Sequence, residues 1–238
     1  MNTKAVIFDK DGTLLDFDSF WVEISYNAIR EILEKIEIKN IDANEILEFM
    51  GVKNKETDIT GVLCHGTYAQ LAQEICVFLG KYGYEFSSDS LTELVVEAYR
   101  SNMHRGVVKP ACEDIVDTLI NLKNQGIRLI VVTTDDTVIT KKCLEALKIE
   151  DLFDCIYTDD GKTPVKPDPY CIEEICRKYG LEKSQIVMVG DTLRDVEFAR
   201  NGRIKVIGVA KNENNRKILE KEADVVVPDI SYVYGVID

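Results

Sequence analysis

Four short apolar runs, rich in β-branched residues and free of polar alternation, constrain this chain's fold more than any other feature. They are Ala5-Val6-Ile7-Phe8, Leu129-Ile130-Val131-Val132, Ile186-Val187-Met188-Val189 and Val206-Ile207-Gly208-Val209, with Val225-Val226-Val227 a weaker fifth. A strand with one wet face alternates, so a run without alternation suits a central strand covered on both faces. Helical patterns separate the runs, over 112–124, 140–147, 169–179 and 196–201. Strand–helix alternation of this kind predicts an α/β fold, a doubly wound parallel sheet with right-handed crossovers.

Between the first and second runs the pattern changes. From about Ser19 to Arg105 it is helical, and Thr67-x-x-Gln70 and Ser90-x-x-Glu93 have the form of capping boxes that open helices. The stretch 51–66 is loop-like, with Gly61 and Gly66 as turn or hinge positions. A block this long is too large for a loop. The expectation is an inserted all-α domain over 16–106, above the C-terminal edge of the sheet, with 1–15 and 107–238 forming the core. Ligands of open α/β sheets bind at that edge.

Composition narrows the partners. The chain has 238 residues and a formal net charge of −13. At that size a folded monomer exposes roughly 10,800 Å² against about 39,000 Å² unfolded, enough burial to dispense with disulfide or metal staples. A sequence pI near 4.7 argues against nucleic acid, which needs a basic face. No apolar run approaches the ~20 residues of a membrane span, and acid enters at Asp9, so neither a membrane partner nor a signal peptide is expected. Seven scattered cysteines without a C-x-x-C pair read as reduced thiols in a cytoplasmic protein, and two histidines make structural zinc a poor fit. A monomer or weak homodimer is expected.

Four polar signals sit where the strands end. Asp9-Lys10-Asp11-Gly12-Thr13 follows the first run. Two carboxylates two residues apart on an extended segment point the same way, and Gly12 permits a sharp turn. Such a pair can divide the work of attack or metal binding and proton transfer, although a solvated turn has the same spelling. Thr133-Thr134 closes the second run, and its hydroxyls and backbone N–H groups suit phosphate oxygens or merely end the strand. Lys166 lies in the loop Thr163-Pro164-Val165-Lys166-Pro167-Asp168-Pro169, whose prolines stiffen it, and is favoured over Lys162 as an aimed cation. Gly190-Asp191-Thr192-Leu193-Arg194-Asp195 follows the third run, with Asp195 one helical turn beyond Asp191. Asp195 also suits the helix macrodipole.

A parallel sheet gathers all four signals at one edge. Several acids in close range repel unless a cation sits among them, and an oxygen-only donor set points to a hard ion, Mg²⁺ first. Mg²⁺, lysine and hydroxyl together suit a phosphoryl group.

This constellation resembles the haloacid dehalogenase superfamily over nearly the whole chain, with its Rossmann-like core, and within it phosphoglycolate-phosphatase-like enzymes. Phe8-Asp9-Lys10-Asp11-Gly12-Thr13-Leu14 is similar to its first motif, Thr133 to the second, Lys166 in Val165-Lys166-Pro167-Asp168-Pro169 to the third, and Gly190-Asp191 with Asp195 to the fourth. The insert is similar to the family's α-helical cap. The resemblance implies a phosphatase of small phosphorylated metabolites with Asp9 as nucleophile, through an aspartyl-phosphate, and Asp11 as acid and base. It implies Mg²⁺ held by Asp9, the Asp11 carbonyl and Asp191, supported by Asp195, with Thr133 and Lys166 on the phosphoryl oxygens. Thr134 replaces an asparagine common in the family, which leaves its backbone N–H for phosphate. The Asp11 carboxylate and Thr13 set the motif apart from ion-pumping ATPases and from β-phosphoglucomutase relatives respectively. Cap residues Lys53, Lys55, His65, Asn102, His104 and Arg105 are candidates for leaving-group contact, and Phe20 and Trp21 for lining or packing. A phosphosugar mutase, a phospho-aspartate receiver and a silent binding protein are the competing readings. The segment after Val227 has no role at this level.

Overall fold

The computed structural model describes residues 2–237. The chain opens with β1 (Ala5–Phe8), whose four residues are all buried. It then enters an insert: a π-helical turn over Asp18–Val22, α1 (Glu23–Lys35), α2 (Ala43–Phe49), β2 (Val52–Lys53), β3 (Glu56–Thr57), α3 (Val62–His65), α4 (Tyr68–Gly80) and α5 (Ser88–Asn102). Thereafter come α6 (Ile115–Asn124), β4 (Arg128–Asp136), α7 (Thr137–Ala146), β5 (Cys155–Asp159), α8 (Tyr170–Tyr179), β6 (Ile186–Gly190), α9 (Leu193–Gly202), β7 (Lys205–Val209), α10 (Glu213–Leu219) and β8 (Val225–Val227). Two compact units result: one runs to Phe17 and resumes at Val108, and the other is Asp18–Val107. No helix among the described residues is long and apolar enough to cross a membrane.

The first unit holds a six-stranded sheet in the order β5-β4-β1-β6-β7-β8. Every pairing in it is parallel, so each connection must cross over, and helices supply the crossovers. β1 lies between β4 and β6, with Phe8 level with Val131 on one side and Val189 on the other. The chain builds outward from β1 to β5 and then resumes on the other side at β6, so the end of β1 sits at the topological switch. Alternate strand residues (Val6, Phe8, Leu129, Val131, Val187, Val189) face one core, closed by Leu119 and Leu122 of α6. Ile230, Val233 and Ile237 join that core, which gives the segment after Val227 its role: a 3-10 turn over Ile230–Gly235 packed beside α6.

β5 has no counterpart among the apolar runs. It is an edge strand whose residues are only half-buried, so nothing demands a continuous apolar sequence there.

The Asp18–Val107 unit is helical with one departure from an all-α insert. β2 and β3 form a two-stranded antiparallel hairpin inside the stretch read as loop, joined by Asn54 and Lys55 at φ 54° and 67°. Two positive φ values in a two-residue turn match the twist that hairpins prefer. The Thr67–Gln70 capping box is present. Helix α5 is instead capped three residues before the proposed Ser90, by Ser87, whose hydroxyl accepts the Ser90 N–H at 3.2 Å. The core of this unit includes Ile24, Ile29, Ile32, Ile75 and Val95. Tyr99 crosses that core and donates its hydroxyl to Ser25 Oγ at 2.9 Å.

Candidate active site

The loop after β1 is held tight by its own backbone. Lys10 carbonyl accepts the N–H groups of Leu14 and Leu15 at 2.9 and 2.8 Å, and Gly12 donates to the Leu15 carbonyl at 2.7 Å. Gly12 adopts φ +79°, and a Cβ placed on it would lie 2.0 Å from Asp191 Oδ2. Only glycine gives both that turn and that approach. Thr13, next in the loop and fully buried, donates its hydroxyl to Asp191 Oδ1 at 2.9 Å.

Asp9, Asp191 and Asp195 each offer a carboxylate oxygen, and these oxygens all lie within 4.8 Å of one another. Lys166 is buried among them, with Nζ 2.6 Å from Asp9 Oδ1 and 2.6 Å from Asp195 Oδ1. Burial opposes its charge, but Asp195 and Asp9 outweigh that and hold its pKa above the usual range. Lys162 is exposed. Asp195 is fixed by a reciprocal cap on α9: its Oδ2 accepts the Thr192 N–H at 3.0 Å and hydroxyl at 2.7 Å, while its own N–H meets Thr192 Oγ1 at 3.4 Å. A Cβ on Gly190 would lie 2.4 Å from Asp195 Cγ, so the end of β6 also leaves room for this carboxylate.

One lysine does not neutralise three acids. Burial, together with the charges of Asp195 and Asp11, pushes Asp9 up to about 7 despite Lys166. Burial, Asp9 and Asp195 likewise raise Asp191 well above the usual carboxylate range. Carboxylates held together against their charge, with hard oxygen donors only, fit a divalent ion of the Mg²⁺ kind.

The remaining positions divide. Thr133 is buried on β4, and its Oγ1 accepts the Asp135 N–H at 3.2 Å. It lies in the irregular stretch of β4 between Val132 and Asp136, beside the end of β1. The Thr134 side chain is exposed and not brought into the cluster. Asp11 lies apart from the three clustered carboxylates: its Oδ1 is 2.6 Å from Lys10 Nζ. In the insert, Asn102 is a structural residue whose amide donates to Glu31 Oε2 at 2.8 Å and whose Oδ1 accepts Arg105 Nε at 2.9 Å. His104 and Lys55 are exposed. Lys53 and His65 line a cleft of about 530 Å³ with Asp58 and Thr60. Phe20 is buried edge-on against Trp21, at 5.3 Å between ring centres.

Two charged residues carried no signal at the sequence level. Lys10 is fully buried, and Asp135 meets it from β4, with Oδ2 3.0 Å from Nζ. Burial works against the Lys10 charge, but Asp11 and Asp135 outweigh it and raise its pKa. Burial pushes Asp135 up to about 6, with Lys10 opposing and Asp11 reinforcing.

The haloacid dehalogenase-like hydrolase family model matches residues 6–209. The chain belongs to that family. It is 24% identical over 220 residues to the pyrophosphatase PpaX of Bacillus cereus, covering 92% of this chain and 89% of that one. It is 25% identical over 228 residues to a phosphoglycolate phosphatase of Pseudomonas fluorescens, covering 95% and 77%. A solved structure described as a predicted phosphoglycolate phosphatase from Haemophilus somnus superposes with a TM-score of 0.75 at 21% identity, covering 99% and 98%. As a haloacid dehalogenase-like hydrolase, the chain has its Asp9 loop, Lys166 loop and Asp191 loop at the edge of the sheet where such folds bind ligands.

Proposed function

We propose that this hydrolase is a Mg²⁺-dependent phosphatase of small phosphomonoesters, of the phosphoglycolate or sugar phosphate kind, working through an aspartyl-phosphate on Asp9. The observation that carries the reading is the Asp9, Asp191 and Asp195 cluster with Lys166 bonded into it. The names of the two relatives support phosphoester or pyrophosphate substrates.

Asp9 Oδ attacks phosphorus as the ester P–O bond breaks, and the proton of the Asp11 carboxyl passes to the leaving oxygen. Water then bonds to phosphorus, its proton goes to Asp11, and the bond from Asp9 to phosphorus breaks, which restores the carboxylate and frees phosphate. Lys166 spends two of its N–H bonds on Asp9 and Asp195, and the third can go to a phosphoryl oxygen. The Thr133 hydroxyl supplies a further donor. Asp9, the Asp11 carbonyl and Asp191, with Asp195 in support, would hold Mg²⁺, which supplies charge neutralisation at the phosphoryl oxygens. The Asp18–Val107 unit would act as the cap that selects substrate. Cysteines that form no disulfide suit a cytoplasmic setting.

The test is phosphate release from a panel of phosphorylated metabolites and inorganic pyrophosphate, with Mg²⁺ or EDTA, beside Asp9→Asn. Metal-dependent release is expected, and Asp9→Asn should lose at least about 10⁴-fold in kcat. Folded, Mg²⁺-loaded protein that releases no phosphate from any member sinks the reading. Isomerisation of a sugar phosphate without release would select a mutase.

A further inference from the structure

Lys10 stands between the residues assigned above to nucleophilic attack and to proton transfer, and its side chain is fully buried. A lysine at a strand end normally carries its charged head to water on a flexible stem. Here it turns inward to Asp11 Oδ1 at 2.6 Å and Asp135 Oδ2 at 3.0 Å. Asp135 arrives from β4, and its N–H meets Thr133 Oγ1. A continuous set of contacts therefore runs from Asp11 through Lys10 and Asp135 to Thr133, tying the loop after β1 to the end of β4. Stability is a weak reason for such an arrangement, because apolar residues of similar volume commonly match or exceed a buried ion pair. Its return is in placement.

We infer that Lys10 and Asp135 are positioning residues, which fix the Asp11 carboxylate where it exchanges protons and hold the Thr133 hydroxyl in register with it. The inference rests on the phosphatase reading and deepens it. In the first half-reaction Asp11 gives its proton to the departing ester oxygen while phosphorus moves to Asp9, and in the second it takes a proton from the attacking water. Lys10 acts through Asp11, whose Oδ1 it meets at 2.6 Å. Displacing a proton-transfer group by about 1 Å costs on the order of 10²-fold.

The test compares kcat/KM on two esters, using Mg²⁺-loaded protein: the alkyl phosphate best hydrolysed in the panel, and p-nitrophenyl phosphate. An alkoxide must be protonated as it leaves, whereas nitrophenolate departs as the anion. Lys10→Met is expected to lose about 100-fold on the alkyl ester and less than about fivefold on the nitrophenyl ester. Asp135→Asn, which keeps the side-chain volume, should show the same imbalance at about tenfold, and Asp11→Asn sets its full size. Equal losses on both esters in the folded variants, or no loss, overturn the inference. Should Lys10→Met fail to fold, the ratio in Asp135→Asn decides. A wild type inert to both esters, or an Asp9→Asn that stays active, overturns the phosphatase reading and the inference together. An active wild type, an inactive Asp9→Asn and an unchanged ester ratio overturn the inference alone.

Discussion

Asp191 has its position set by a residue with no side chain. The approach of Gly12 to Asp191 Oδ2, at a φ of +79°, leaves nowhere for a methyl group, so Gly12→Ala must move either the loop or the carboxylate. Strain of about 1–3 kcal/mol and a loss of on the order of 10²-fold in kcat/KM are expected, read by urea unfolding and phosphate release. Wild-type activity in that variant would show that Asp191 can turn aside at no cost to the chemistry. The carboxylates also set a pH signature. Without metal, Asp9 at about 7 binds its proton more tightly in the folded chain than at its ordinary value of 3.8, and Asp191 shifts the same way. Between those values the folded state carries more protons than the unfolded one, so this contribution to stability falls as pH rises through the window. Mg²⁺ replaces the protons and reverses the penalty. The rise in thermal midpoint on adding Mg²⁺ is therefore expected to be larger at about pH 8 than at about pH 5.5. An equal rise at both would place the ion away from Asp9 and Asp191.

At the scale of elements, two reciprocal caps separate stability from chemistry. Asp42 caps α2 with Glu45, and Thr192 caps α9 with Asp195. Asp42→Ala and Thr192→Ala should each cost about 1 kcal/mol in chemical denaturation. Thr192→Ala also removes a 2.7 Å donor from Asp195, the carboxylate that anchors Lys166, so phosphate release should fall in that variant and hold in Asp42→Ala. Equal activity in the two would make the α9 cap a helix device only. The same elements explain what could be read in the sequence. Central strands bury both faces and so spell themselves out, and in a parallel sheet the residues after each run share an edge. Asp9, Asp191 and Asp195 could be brought together on that logic, whereas Lys166 follows β5, which has no such run, and stands out only by its proline-stiffened loop. Short or half-wet elements leave no such trace, as β5 and the β2–β3 hairpin show. Ser87 has Ser90 rather than an acid or amide three residues on, so the capping-box pattern points to Ser90, whose third residue is Glu93. The contact between Lys10 and Asp135 depends on how β4 continues past Val132, where its register with β5 shifts, and no local pattern encodes that.

Across the whole molecule, charge works against the proposed substrate. A formal net charge of −13 belongs to a chain proposed to take a phosphate dianion, and Lys166, the lysine proposed to meet the phosphoryl group, is buried. The two fields differ in reach. Surface carboxylates act through solvent and are screened over about 30 Å at 0.01 M salt but only about 8 Å at 0.15 M, whereas buried pairs are screened much less. Added salt should therefore remove the long-range repulsion and leave Lys166 largely intact. At fixed, saturating Mg²⁺, kcat/KM for a phosphomonoester is expected to rise by about two- to tenfold between 0.01 and 0.15 M NaCl, with kcat nearly constant. The opposite slope would mean that the substrate meets a positive surface first, and that local cations override the net charge along its path. A flat profile would mean that the acidic residues lie too far from that path to act. A rise confined to kcat/KM would confirm that the chain's acidity lowers encounter, with the chemistry insulated from it by burial.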